Sequence, residues 1–233
     1  GYREMMRCRA DIRELFEDAP ATLGEAAERV VRYFYERFTD DDGKPACALV
    51  RLFKTHPYNG LDRELKTFAD RALPPGERTD GIRCLVLLAT AGDEARWNSP
   101  AESEGHRAIP LASERMVNEA PMIAQLIRQL GVDMSTVLRP DSRLLLDANE
   151  KAYNVFFVER ALGSPFIVAQ EEFVKAYRIE SVVGFGGMMA TGDLFAAILF
   201  SKVHIAEEVA DLFKVIGLNL RVSLLPLARK PLF

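Results

Sequence analysis

The sequence predicts an α+β fold: a mostly antiparallel central sheet flanked by helices, with the N-terminal and C-terminal helices packing together. Three observations predict it. The apolar runs SVVGFGGMM (181–189) and LFAAILF (194–200) flank Ala190-Thr191-Gly192-Asp193, the pattern of a hairpin. Amphipathic helical patterns open and close the chain. The order helix, strand, helix, strand, long polar insertion, strand, hairpin, helix has too few crossover helices for a doubly wound parallel sheet.

Each element has its own signature. Residues 3–17 place Met5, Cys8, Ile12, Leu15 and Phe16 on one face of a helix that Asp18-Ala19-Pro20 stops. Thr22 and Glu25 have the spacing of a capping box. Leu23, Ala27, Val30, Phe34 and Phe38 then recur at helical spacing until the turn Asp40-Asp41-Asp42-Gly43. ACALVRLF (46–53) is apolar on both alternating faces except at Arg51, which suits a buried strand. A short helix is expected at 61–72, with Leu61, Leu65, Phe68 and Ala69 inward, broken by Pro74-Pro75-Gly76. IRCLVLLAT (82–90) is the strongest buried-strand segment. A polar stretch at 93–107 reads as a loop, and loops of that length are usually functional or mobile. Helical spacing returns at 113–130, restarted by Pro121 and ended by Gly131. Residues 132–151 carry no assignable pattern. A strand at 153–158, a turn at Gly163-Ser164-Pro165, a short helix at 168–177, the hairpin and a long helix at 205–225 complete the chain, read as one domain over residues 1–233.

Bulk properties exclude some functions. With 48% hydrophobic and 27% charged residues, 233 residues suffice for a core without disulfides or metals. The net charge of −4, with basic and acidic residues interleaved, argues against a nucleic-acid partner. Cys8, Cys47 and Cys84 have neither disulfide nor CxxC metal spacing and fit a reducing compartment. No segment approaches a membrane span of ~20 apolar residues, and the charged N-terminus lacks a signal-peptide core. The expectation is a cytoplasmic protein with no membrane or nucleic-acid partner. The ends of the chain, Gly1 and Pro231-Leu232-Phe233, suggest a piece of a longer protein.

The last helix carries a second signal. Ile205, Val209, Leu212, Phe213, Ile216, Leu220 and Leu224 form a stripe for the sheet. Val215, Leu218, Val222 and Leu225 form another, spaced 3, 4 and 3. A second apolar face needs a second partner. Its spacing is compatible with a helix pair in a homodimer, and equally with packing on the N-terminal helix.

Tyr177-Arg178-Ile179-Glu180-Ser181-Val182, the Gly-containing hairpin VVGFGGMMATGDLFAAILFS (182–201) and the acidic start of the final helix HIAEEVADLFKVIGLNLRVSLL (204–225) resemble the C-terminal half of a GAF domain. The helix at 22–38 and strand at 46–53 resemble that family's opening. The chain departs from the pattern by insertions near 61–76 and 93–150, in the region that builds the family's pocket. The resemblance implies a regulatory input domain of a bacterial signalling protein. Such domains are commonly dimeric, bind small molecules or chromophores, and often precede a histidine kinase or another linked output domain. It also admits a ligand-free dimerisation module, and a thiol enzyme that reduces methionine sulfoxide.

No catalytic signature accompanies the resemblance, so no enzyme is expected. Gly184-Phe185-Gly186-Gly187 is followed by a strand where a phosphate loop requires a helix, so it reads as close backbone approach. Asp93, Glu94, Glu102, Glu104 and His106 lack metal spacing and read as solvated charges. His204 with Glu207 and Glu208 suits a helix start, and His56 precedes a proline in a turn. The cysteines read as small core residues. No GxSxG is present. Pocket residues are sought in the polar insertion, at Trp97, Asn98, His106 and Arg107, and after the next strand, at Ser164, Phe166 and Gln170. No cofactor is named by these residues. The expectation is a ligand seated between the sheet and the 93–130 region, relayed to the 205–225 helix.

Overall fold

A computed structural model describes residues 2–74, 81–140 and 154–233, with Tyr2–Met6 described by backbone alone. Met5 as a side chain, Pro75, Gly76, Tyr153 and most of the unassigned 132–151 stretch lie outside the described residues. The fold is α+β, as predicted. Six strands form one sheet in the order β3-β2-β1-β6-β5-β4, every neighbouring pair antiparallel. They are β1 (Cys47–Pro57), β2 (Arg83–Gly92), β3 (Ala108–Leu111), β4 (Val155–Val158), β5 (Ser181–Met188) and β6 (Leu194–Ser201).

One face carries α1 (Tyr2–Glu14), α2 (Leu23–Arg37), α3 (Arg63–Ala72) and α7 (Glu207–Leu224). The other carries α4 (Glu114–Asn118), α5 (Pro121–Gln129), α6 (Met134–Leu138) and a π-helical turn, Gln170–Lys175. The sheet is thus buried on both faces, which is why β1, β2, β5 and β6 read as nearly continuous apolar runs. The first layer centres on Phe34, Phe185 and Phe213, whose ring centroids lie 5.3–6.5 Å apart. No helix among the described residues is long and apolar enough to cross a membrane.

The terminal helices pack together, with Arg9 Nε donating to Asn219 Oδ1 at 3.2 Å. Thr22 caps α2 by accepting from the Glu25 N–H at 3.1 Å. Glu25 returns to the Ala21 N–H at 2.7 Å, one residue before the expected cap. The C-terminal tail completes that helix end: Pro231 and Leu232 carbonyls accept from the Leu23 and Gly24 N–H groups at 3.0 and 2.7 Å.

Several elements differ from expectation. The 93–107 segment is not a featureless loop but holds two 3-10 turns, Ala95–Asn98 and Pro100–Glu102, followed by β3. The sequence hid β3 because four residues with a proline look like coil; Pro110 is tolerated because the strand is an edge. The 113–130 helical stretch is restarted by Pro121 as expected, giving α4 and α5. The expected 168–177 helix is π-helical. The final helix spans Glu207–Leu224 and ends in a 3-10 turn, Leu225–Leu227, that sends the chain back to α2. Val209 is exposed instead of facing the sheet, because Ala210 takes the inward position.

The glycines of β5 act by close approach, as read from the sequence. A Cβ on Gly186 would collide with the Phe195 carbonyl and lie 2.9 Å from Ala196 Cα. α7 packs on the same point at Gly217, where a Cβ would make only ordinary contact, 3.4 Å from Gly186 N.

Candidate functional site

The expected pocket residues do not converge. His106 ends a turn and Arg107 leads from it into β3, the Arg107 carbonyl accepting from Leu87 N–H at 3.0 Å. Arg107 turns to the α3 side, pairing with Glu64 at 2.8 Å and standing 6.0 Å over the Phe68 ring. His106 falls on the other side, within reach of the Arg51 charge.

Trp97 is a loop anchor. Its ring sits 4.4 Å from Tyr177 and 5.7 Å from Phe173, docking the insertion onto the π-helical turn. A Cβ on Gly92 would lie 2.9 Å from Trp97 Cε3, so the turn after β2 needs glycine there. Asn98 is a clasp: its Nδ2 donates to the Gly92 and Glu94 carbonyls at 3.0 and 2.8 Å, and its Oδ1 accepts from Gly92 N–H and Arg32. Gln170 knots the 161–167 loop, accepting from Gly163 N–H at 2.8 Å and donating to the Ile167 carbonyl at 2.7 Å. Ser164 Oγ accepts from Phe166 N–H at 3.3 Å, and Phe166 packs half-buried on the second layer. The polar groups of Asn98, Ser164 and Gln170 thus serve the chain itself.

The sequence reading passed over one charge inside the sheet. Arg51 sits mid-strand in β1, near the centre of the sheet, on the face opposite the terminal helices. It pairs across with Thr90 of β2 and Ile198 of β6. Its Nε is buried with no hydrogen-bond partner, and no described residue pairs with its guanidinium. Burial lowers its pKa to about 10. Thr90, 1% exposed, has an orphaned Oγ1 on the same face, and Ser103 Oγ is orphaned where the second 3-10 turn packs on β2. Unmet buried polar atoms cost about 1–3 kcal/mol each and call for a missing partner. His106 edges this patch. Desolvation, then the Arg51 charge, lowers its pKa to about 4. The signal for Arg51 was present in the sequence as the single charge inside ACALVRLF.

In comparisons with known proteins, the chain matches no family model, no curated protein and no solved structure.

Two other groups bear on chemistry. Lys54, Arg83 and Asp193 form a buried ionic cluster that joins β1, β2 and the β5–β6 hairpin. Lys54 Nζ lies 2.7 Å from Asp193, Arg83 contacts the other carboxylate oxygen, and Thr191 Oγ1 donates to Asp193 at 2.8 Å. Burial lowers the Lys54 pKa. The charges of the cluster are paired with one another, although Arg83 Nε has no hydrogen-bond partner, so it reads as a structural tie. The three cysteines are free and buried, and burial raises their pKa values to about 11 for Cys8 and about 12 for Cys47 and Cys84. A thiol held protonated is a poor nucleophile. No group of three or more metal-ligating side chains occurs among the described residues.

Proposed function

We propose that the chain is a GAF-like sensory input domain of a cytoplasmic signal-transduction protein. It binds a small molecule carrying an anionic or carbonyl acceptor on the sheet face beneath the 93–107 segment, and relays the change through α7 to a linked output domain. The observation that carries this reading is Arg51: a mostly buried guanidinium with no partner among the described residues, beside the orphaned hydroxyl of its cross-strand neighbour Thr90. A carboxylate-bearing ligand satisfies both, and charge-assisted bonds of this kind are the strong ones. The route outward is short. β1 is bonded to β6, and the reverse face of that sheet carries α2 and α7. A ligand shifts α7 only through different affinities for two states. The protonated, buried thiols weigh against the methionine sulfoxide reductase alternative.

The test is a thermal-shift screen of small carboxylic acids and other acceptor-bearing metabolites. A hit is expected to raise Tm in the parent protein, since binding to the native state alone stabilises it. Arg51→Gln is expected to weaken that hit at least about 10-fold, the ~1.4 kcal/mol equivalent of one lost charge-assisted bond. A hit that binds the variant equally well, or no hit across the screen, sinks the ligand reading.

The relay further requires a homodimer through α7. Val215, Leu218, Val222 and Leu225 are 40–62% exposed, although α1 is docked alongside the same helix. Two such stripes are self-complementary about a two-fold axis. Sedimentation is expected to find a dimer that Leu218→Glu and Val222→Glu each convert to monomer. A parent protein that is monomeric at every accessible concentration removes the relay.

A further inference from the structure

We infer that the cleft between α3 and β3, on the helical side of the sheet, is a second and separate binding site, for a multiply charged phosphate anion. The cleft holds about 380 Å³ and is lined by Arg63, Glu64, Thr67, Phe68, Arg71 and Arg107. α3 buries Leu65 and Ala69 on the sheet. That leaves Arg63, Thr67 and Arg71, spaced four apart, on a single outward row. Arg107 closes the opposite side from the start of β3.

Charge decides the ligand class. Three guanidinium groups share the cleft with one carboxylate, in a chain whose net charge is −4. Glu64 is committed to Arg107 at 2.8 Å. Neither Arg63 nor Arg71 has an ion-pair partner among the described residues. Every basic side chain in the cleft is arginine, whose planar fork matches phosphate oxygens two at a time. Arg107 is also fixed in advance: its side chain is 17% exposed, held by Glu64 and by the face of Phe68. A donor already in place loses less entropy on binding.

Spacing sets the ligand's length. Arg63 and Arg71 are eight residues apart, about 12 Å along the helix axis. A single phosphate meets one of them together with Arg107. A chain of linked phosphates meets both, so a polyphosphate moiety is the fitting class. Its binding would tie α3 to β3 across the sheet edge, on the face that also carries α2 and α7. This site does not depend on the Arg51 reading, which concerns the opposite face.

The experiment is calorimetric titration of the full chain with inorganic tripolyphosphate, orthophosphate and citrate at physiological ionic strength. Tripolyphosphate is expected to bind saturably and at least about 10-fold tighter than orthophosphate or citrate. The exposed double variant Arg63→Gln/Arg71→Gln is expected to lose at least about 10-fold in tripolyphosphate affinity while keeping its Tm. Arg51→Gln is expected to leave it unchanged. Absence of saturable binding, equal binding by citrate, or undiminished binding in the double variant overturns the assignment. Loss in Arg51→Gln instead moves the anion to the other face and overturns it as well.

Discussion

Replacing Asp193 with alanine is expected to destabilise the fold by about 3–5 kcal/mol, the usual penalty for removing one partner of a buried ion pair. The reason lies in what remains. Lys54 and Arg83 have side chains 4% and 8% exposed, and both point at the Asp193 carboxylate. Without it, two like charges face each other in a low-dielectric site. The loss also reaches the ladder. Arg83 Nη2 donates to Thr55 Oγ1 at 3.2 Å, and that oxygen accepts from Leu194 N–H at 2.9 Å, so the β5–β6 hairpin is tied to β1 through the same group. Thermal melting is expected to fall by about 6–20 °C, at ~2–4 °C per kcal/mol for a chain of this size. Asp193→Asn keeps the shape and removes the charge, and is expected to recover only part of the loss. In a double-mutant cycle, Lys54→Met combined with Asp193→Ala is expected to cost less than the two separately, since one orphaned cation is gone. A change below about 1 kcal/mol in Asp193→Ala would mean the cluster is already screened by water.

Gly186→Ala is the second large effect, expected at about 3 kcal/mol or above, at the upper end of overpacking costs. The obstacle is the backbone of the neighbouring strand. The new methyl meets the Phe195 carbonyl and Ala196 Cα of β6, and α7 approaches the same strand through Gly217. No side-chain rotation relieves it, so β5 and β6 must separate locally. Gly105→Ala is the control. A Cβ there has nothing within 4 Å, and the expected change is within about 0.5 kcal/mol. Urea midpoints measured on both variants separate the two cases, and equal midpoints would refute the close-approach account. The strand pair and α7 meet at Gly186, so a variant that folds is also expected to disturb the α7 stripe.

Legibility tracked the range of the physics involved. The helices at 22–38 and 205–225 and the β5–β6 hairpin were readable because their patterns repeat within a few residues. The apolar run after Gly184 was read as a strand for the same reason, and the phosphate-loop alternative fell with it. Within the site, Trp97 and Asn98 were residues of note in the sequence, Trp97 as a pocket candidate or a loop anchor, and the structure shows the anchoring contacts. An aromatic and an amide in a polar stretch mark a loop that must be pinned, and here they pin it to Tyr177 and Gly92. Arg51 was visible as an anomaly in a strand. Its meaning was not, because its orphaned neighbour Thr90 comes from a strand 39 residues further on (90 − 51).

By itself, the sequence determined the fold class, the antiparallel hairpin, the glycines of close approach, and the surplus apolar stripe on α7. Each follows from local periodicity and from steric demands of single residues, which need no knowledge of distant chain. The tertiary structure alone decided which charges meet. Arg83 and Asp193 are 110 residues apart, and His106 and Arg107 are adjacent yet divided between two faces. Strand register sets the faces of Lys54 and Arg83, and a slip of one residue would turn either one to the opposite face.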